Sequence, residues 1–358
     1  VIANDHEVKI GILHSLSGTM AISETTLKDT MLMLIEDQNK KGGILGKKIV
    51  PVVVDPASNW PLFAEKAREL LTVSKVDVIF GSWTSVSRKS ALPVLEELNG
   101  LMFYPVQYEG EESSKNVFYT GAAPNQQAIP ATDYYLEELG VKKFALLGTD
   151  YVYPRTTNKI LKQYLMDKGI PESDIFVNYT PFGHSDWSKI VSDVVSLGAD
   201  GKKVGVISTI NGDANIGFYK ELAASGIKAD DIPVVAFSVG EEELSGLDTK
   251  NLVGHLAAWN YFQSAESDLN TNFIKKWKNK MGNKRVTNDP MEAHVIGFEM
   301  YVKAVEKAGT TDVDAVRKAM YGIKVPNLTG GIAEMLPNHH LTKPVLIGEI
   351  KADGQFDI

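Results

Sequence analysis

Three short segments of the chain bring together aromatic rings, hydroxyls and amide groups: Trp83 with Ser85, Tyr104 to Gln107, and Asp150-Tyr151-Val152-Tyr153. Such rings can stack on a flat ligand, while hydroxyls and backbone N–H groups can donate to a carbonyl oxygen. Glu241, the first residue of Glu241-Glu242-Glu243, adds a carboxylate that can accept from N–H groups. The combination suits a small, neutral, amide-like molecule. Trp83 would stack on its face, Ser85 and the following helix N-terminus would donate to its carbonyl, and Glu241 would accept from its N–H groups. Arg88 and Lys89 fall inside a predicted helix and are expected to face solvent. Without a Gly-rich anion loop beside them, a nucleotide or sugar phosphate is disfavoured. Each residue also has an ordinary structural role: Tyr and Trp edge many cores, Ser85 can cap a helix, and acidic runs commonly mark solvated helix N-termini.

Reaction chemistry finds little support. The chain holds no Gly-x-Ser-x-Gly elbow, no Gly-x-Gly-x-x-Gly after a strand, no P-loop and no His-Glu-x-x-His. His339-His340 is the one histidine pair, and adjacent side chains on an extended segment point apart, which argues against a shared metal. No catalytic residue, metal ligand or cofactor is expected, and the expectation is a protein that is not an enzyme. Zero cysteines exclude disulfides and thiolate sites, and a net charge of −8 disfavours nucleic acid as a partner. No apolar run reaches the roughly 20 residues that span a bilayer, so no membrane insertion is expected. The first residue is Val1 rather than Met, as expected of a removed signal peptide or a trimmed chain.

The elements that must position these groups follow from hydrophobic period. With 358 residues, 44% hydrophobic and 23% charged, two domains are expected. Short apolar runs at Val8–Leu13, Ile49–Val54, Val76–Gly81 and Leu101–Tyr104 alternate with helical patterns, including one interrupted at Pro93, where a kink or broken turn is expected. The alternation restarts at Lys143–Gly148 and continues through Ile175–Tyr179, Val204–Thr209 and Pro233–Phe237. Two such series predict an α/β protein of two doubly wound, Rossmann-like lobes with parallel sheets. Trp83, Tyr104 and Tyr151 each follow a strand, and in open parallel sheets ligands bind beyond the carboxyl ends of the strands. The expected division is residues 1–121 plus 256–328 in lobe 1 and 122–255 plus 329–358 in lobe 2. Hinge strands are expected near 119–123, 255–262 and 326–345, with an interlobe cleft between the lobes.

These residues also carry a resemblance. The segments HSLSGTMAISETTLKD (His14–Asp29), GSWTSVSRK (Gly81–Lys89), FYPVQYEG (Phe103–Gly110) and GAAPNQQ (Gly121–Gln127) are similar to those of urea-binding receptors of ABC transporters. So are GTDYVYPR (Gly148–Arg155), FSVGEEEL (Phe237–Leu244), AAWNYFQS (Ala257–Ser264), TNDPMEA (Thr287–Ala293) and NHHLTKPVLIGEIKADGQF (Asn338–Phe356). Those receptors lie within the type I periplasmic binding protein superfamily, and the chain also resembles the amide-sensing regulators of amidase operons. The resemblance runs nearly end to end. It implies a clamshell that holds urea, or a short amide, at Trp83, Ser85, Tyr104 and Tyr151, with contacts near Val106 and Gln107. The amide-binding relatives have Thr and Pro where Val106 and Gln107 stand, so a hydroxyl is lost and a carboxamide gained. Glu241 would favour urea, with two amino groups, over a simple amide. The implied partner is an ABC permease and the implied location extracytoplasmic (periplasmic); a cytoplasmic amide sensor is the alternative.

Overall fold

The computed structural model describes residues 6–110, 112–123 and 127–358. The first lobe is built on β1 (Glu7–Leu13), β2 (Lys48–Val54), β3 (Val78–Gly81), β4 (Met102–Tyr104) and β5 (Val117–Tyr119). These form a parallel sheet in the order β2-β1-β3-β4-β5. The connecting helices are α1 (Ala21–Lys40), α2 (Trp60–Thr72) and α3 (Ser85–Leu98). Ile10, Ile12, Val78, Phe80, Phe103 and Phe118 are fully buried on one sheet face, and Phe80 stacks on Phe103 with centroids 4.8 Å apart. Near-continuous apolar strands are what a sheet covered on both faces requires. The break expected at Pro93 does not occur, because α3 runs through it as one helix.

The chain then crosses to the second lobe, which begins with α4 (Ala128–Glu137), a helix the sequence pattern did not reveal. There follow β6 (Lys143–Thr149), α5 (Val152–Asp167), β7 (Ile175–Thr180), α6 (Ser188–Leu197), β8 (Val204–Thr209), α7 (Ala214–Ala224), β9 (Val234–Ala236), α8 (Glu241–Leu244) and β10 (Leu256–Trp259). Helices α9 (Asp268–Met281), α10 (Asp289–Ala308) and α11 (Val313–Met320) come next. The hairpin β11 (Lys324–Pro326) and β12 (Ile332–Glu334) and the strands β13 (Leu346–Ile350) and β14 (Phe356–Asp357) complete the chain. The second sheet has the order β14-β13-β10-β9-β8-β6-β7, in which β13 alone runs antiparallel to its two neighbours.

Sheet membership corrects two of the expected lobe boundaries. Leu256–Trp259 pairs with β9 and β13, so the return to lobe 1 follows Trp259 rather than preceding Leu256. Hairpin β11-β12 packs Val325 and Ala333, with Met335 and Leu341, into the same core as α10 and the first sheet. Lobe 1 therefore extends well past residue 328. The hydrophobic pattern alone could not decide this, because short apolar strands look alike in either sheet.

The α10 N-terminus gathers the crossing segments. Asn288 caps it by accepting from the Met291 N–H at 3.2 Å. Asp289 accepts from the Asn260 N–H at 2.6 Å, and Glu292 accepts from the Leu328 N–H at 2.9 Å and lies 3.3 Å from Lys343 Nζ.

Candidate functional site

The carboxyl ends of β3, β4, β6, β8 and β9 face one another across the junction of the lobes. Two close backbone approaches shape the lobe 1 side. A Cβ on Gly81 would lie 2.1 Å from the Leu13 carbonyl oxygen, and one on Gly121 only 2.0 Å from the Val106 carbonyl group. Both obstacles are backbone, so only glycine lets β1 approach β3 and lets the first crossing segment approach the turn after β4.

Thr84 caps α3: its hydroxyl accepts from the Ser87 N–H at 3.1 Å, and Ser87 Oγ accepts from the Thr84 N–H at 3.3 Å. Ser85 is thereby freed from capping. Its hydroxyl donates to Glu109 Oε2 at 2.6 Å and accepts from Arg88 Nη1 at 3.1 Å. Arg88, expected to face solvent, is fully buried. Its position one turn along α3 points it inward, where Nε and Nη2 donate to Glu112 at 2.8 and 3.1 Å and Nη2 to Glu109 Oε1 at 3.2 Å. Tyr104, Tyr108 and Tyr119 surround the guanidinium, their ring centroids 4.7, 5.1 and 5.7 Å from it. Lys89 is half-exposed and contacts the same two carboxylates.

Tyr104 donates from its hydroxyl to the Trp83 carbonyl at 2.9 Å, holding the aromatic turn in place. The Trp83 indole N–H reaches across the cleft to Asn211 Oδ1 at 3.3 Å, and its ring meets Trp259 of the other lobe edge-on at 6.5 Å. Asn211 is fixed by its own N–H on Thr149 Oγ1 at 2.9 Å, and its amide nitrogen donates to the Tyr151 hydroxyl. Gln107 donates to Ser238, a second polar contact across the cleft. Gln107 Oε1 and the Tyr153 hydroxyl lie beside each other, buried and without a well-formed hydrogen bond. Burial pushes the Tyr104, Tyr151 and Tyr153 hydroxyls well above the ordinary tyrosine range, so all three keep their protons.

Of the expected site residues, Trp83, Ser85, Tyr104, Val106, Gln107 and Tyr151 thus fall at one buried junction, Val106 with its backbone against Gly121. Glu241 lies apart from their hydrogen-bond network. Its Oε2 accepts from the Gln263 N–H at 2.6 Å in the second crossing segment, and its Oε1 is buried without a partner among the described residues. Nor is the acidic run solvated: Glu241 and Glu243 are each 1% exposed. Glu243 accepts from the Gly240 N–H at 2.7 Å and, across the lobes, from Ser23 Oγ at 3.0 Å. Burial pushes both carboxyls up to about 8, and their mutual proximity adds to the rise at Glu241. The histidine pair is structural, His339 stacking on Phe118 and His340 on Tyr108 and Tyr119. Among the described residues no group of three metal-ligating side chains converges, and no helix is long and apolar enough to cross a membrane.

Asn211, Ser238, Glu109 and Trp259 were not anticipated. Asn211 and Ser238 follow β8 and β9, so the strand-end rule that found Trp83 and Tyr151 reaches them too. Arg88 and Glu109 lie within segments already singled out, but nothing local reveals that the two pair.

Comparison with known proteins agrees with this geometry. The chain is 24% identical over 339 residues to Leu/Ile/Val-binding protein homolog 7 of Brucella melitensis, covering 89% of this chain and 82% of that protein. It is 24% identical over 358 residues to homolog 6 of the same organism, covering 97% and 88%. An R. palustris solute-binding protein in complex with 4-hydroxybenzoate superposes with a TM-score of 0.83 at 20% identity, over 98% of this chain and 95% of that one. A branched-chain amino acid transporter substrate-binding protein of Streptococcus pneumoniae, in complex with isoleucine, gives 0.83 at 17% identity over 98% of both chains. The fold is that of type I periplasmic binding proteins. Residues 8–358 match the periplasmic binding protein domain family, and the chain belongs to that family of solute-binding proteins, which are not enzymes.

Proposed function

We propose that this chain is the periplasmic receptor that captures urea in its interlobe cleft and presents it to an ABC permease. One observation carries the reading: the cleft offers matched hydrogen-bonding groups that are either uncharged or, like Glu109, paired with a buried cation, which is thereby already neutralised. Tyr151 accepts from Asn211 and retains its own proton to donate, as does Tyr153. Gln107 Oε1 lies beside the Tyr153 hydroxyl with no well-formed hydrogen bond, so a ligand can take both up. A planar molecule with one carbonyl oxygen and adjacent N–H groups satisfies both sets, and Trp83 and Trp259 supply apolar walls. The relatives named for branched-chain amino acids and the structures holding benzoates concern ligands with a carboxylate. Arg88, 4.7 Å from the Tyr104 ring centroid, is committed to Glu109 and Glu112, and an unpaired ligand carboxylate buried here would be costly.

Capture needs no covalent step. Trp83–Asn211, Gln107–Ser238 and Ser23–Glu243 already join the lobes, and a ligand that bonds both lobes shifts the population toward the closed form. Calorimetric titration with urea, acetamide, formamide, isoleucine and 4-hydroxybenzoate tests the reading. Binding of urea, weakened about tenfold by Tyr151→Phe, is expected; binding of isoleucine or 4-hydroxybenzoate with no heat from urea or the amides overturns it.

A further inference from the structure

The carboxylate expected to recognise ligand N–H groups was Glu241, and its surroundings do not suit that role. One oxygen is held by the backbone of the second crossing segment, and the charges near it are Glu243 and Asp289 rather than cleft groups. Glu109 has the opposite setting. It is 2% exposed, at the end of the turn that carries Val106 and Gln107. We infer that Glu109, oriented by Arg88 and Ser85, is the specificity-determining acceptor that selects a ligand with N–H groups on both sides of its carbonyl.

Three features support the assignment, which rests on the cleft being the urea site. First, the two oxygens of Glu109 are unequally occupied. Oε1 receives Arg88 and contacts Lys89, whereas among the described residues Oε2 receives only the Ser85 hydroxyl, at 2.6 Å. A carboxylate oxygen has two lone pairs, so Oε2 keeps one acceptor position beside Ser85. Second, the turn that carries Glu109 reaches the other lobe two residues earlier, where Gln107 donates to Ser238, and Trp83, held by Tyr104, reaches Asn211, which donates to Tyr151. Third, the Arg88 clamp holds the carboxylate in place: its guanidinium pairs with Glu109 and Glu112, and its planar fork fixes their direction.

The consequence is a division of labour. Tyrosine hydroxyls donate to the carbonyl, Gln107 Oε1 accepts from one amino group, and Glu109 Oε2 accepts from the other. Acetamide presents a methyl group where urea presents its second amino group, so it would leave the charged acceptor buried and unmatched.

The test is the ratio of urea to acetamide affinity, measured by calorimetry on the full chain and on Glu109→Gln, Glu109→Asp and Glu241→Gln, with circular dichroism confirming the fold. Glu109→Gln keeps an acceptor for Ser85 but loses the charge and adds a competing NH2. It is expected to weaken urea at least tenfold and acetamide less than threefold, collapsing the ratio. Glu109→Asp withdraws the carboxylate by one methylene and lowers the ratio in the same direction. Glu241→Gln, at the crossing segment, is expected to move both affinities together. If the parent binds urea but Glu109→Gln leaves the ratio unchanged, the role of Glu109 is refuted and the urea site stands. If the parent binds neither urea nor acetamide, both readings fall.

Discussion

Replacing Arg88 with Met removes one charge from a buried polar cluster while keeping much of its bulk. The guanidinium makes three hydrogen bonds to carboxylates, at 2.8, 3.1 and 3.2 Å, and one to Ser85 at 3.1 Å. Without it Glu109 and Glu112, whose side chains are 2% and 6% exposed, keep the Ser85 and Tyr119 hydroxyls and, as a cation among the described residues, Lys89, 3.4 and 3.2 Å away and itself 40% exposed. Breaking a buried ion pair by deleting one partner typically costs about 3–5 kcal/mol. Lys89 recovers a part, so a loss of about 3 kcal/mol at pH 7 is expected. The pH dependence provides a second signature. Burial alone would raise the Glu112 carboxyl, but Arg88 overrides it and holds the group below its ordinary range. In the parent this contribution is present above the ordinary carboxylate pKa and is lost as pH falls through the lowered one. In Arg88→Met burial of Glu112 is no longer opposed by the guanidinium, so the variant gains stability as pH falls. The gap between parent and variant should therefore narrow from pH 7 toward pH 4. Guanidinium chloride unfolding at several pH values is the assay, because urea is the proposed ligand and would bind as well as denature. A gap below about 1 kcal/mol at pH 7, or one independent of pH, would refute the reasoning.

The acidic run makes the opposite prediction over a different window. Burial raises Glu241 and Glu243 to about 8 and Glu292 to about 7, so the folded protein holds protons that the unfolded chain releases. Parent stability should fall as pH rises from about 4.5 to 8 and then level, Glu243→Gln should flatten that slope, and a guanidinium midpoint constant across the window would contradict it. Gly121→Ala places a methyl 2.0 Å from the Val106 carbonyl group, so the Val106-Gln107 turn must move. Overpacking of this kind costs about 1–3 kcal/mol, and a tenfold or greater loss of urea affinity by calorimetry should accompany it; unchanged affinity would show that the turn takes no part in binding.

How far the site was legible in the sequence depends on what kind of information each residue needed. Trp83, Tyr104 and Tyr151 were reachable because a parallel strand has a direction, and a residue just past its carboxyl end stands at the edge where ligands bind. That rule uses only local pattern and topology, and it would have reached Asn211 and Ser238 had it been applied to β8 and β9. It misplaced Glu241 in relation to the cleft because the first turn of α8 carries the side chain toward Gln263 and the crossing segment. Strand-end position fixes where a residue begins, not where a short helix then turns it. The hairpin β11-β12 and the helix α4 escaped for a related reason: both are short, and neither has a period long enough to separate it from a loop.

The pairing of Arg88 with Glu109 and Glu112 belongs to another class. A charged residue in a predicted helix is ordinarily solvated, and the burial that reverses this is a property of three elements meeting: α3, the turn after β4 and β5. Once that meeting is known, the chemistry follows in order. Thr84 takes the helix cap, Ser85 is released to bond Glu109, Arg88 neutralises the carboxylates, and the cleft is left with tyrosine donors and uncharged or compensated acceptors. The residue types already suggested a neutral ligand, but with Arg88 assigned to solvent; in the structure that neutrality is produced by a buried charge cluster. A sequence reading that counts a cation beside a cleft as an anion site errs wherever the fold has already supplied its partner.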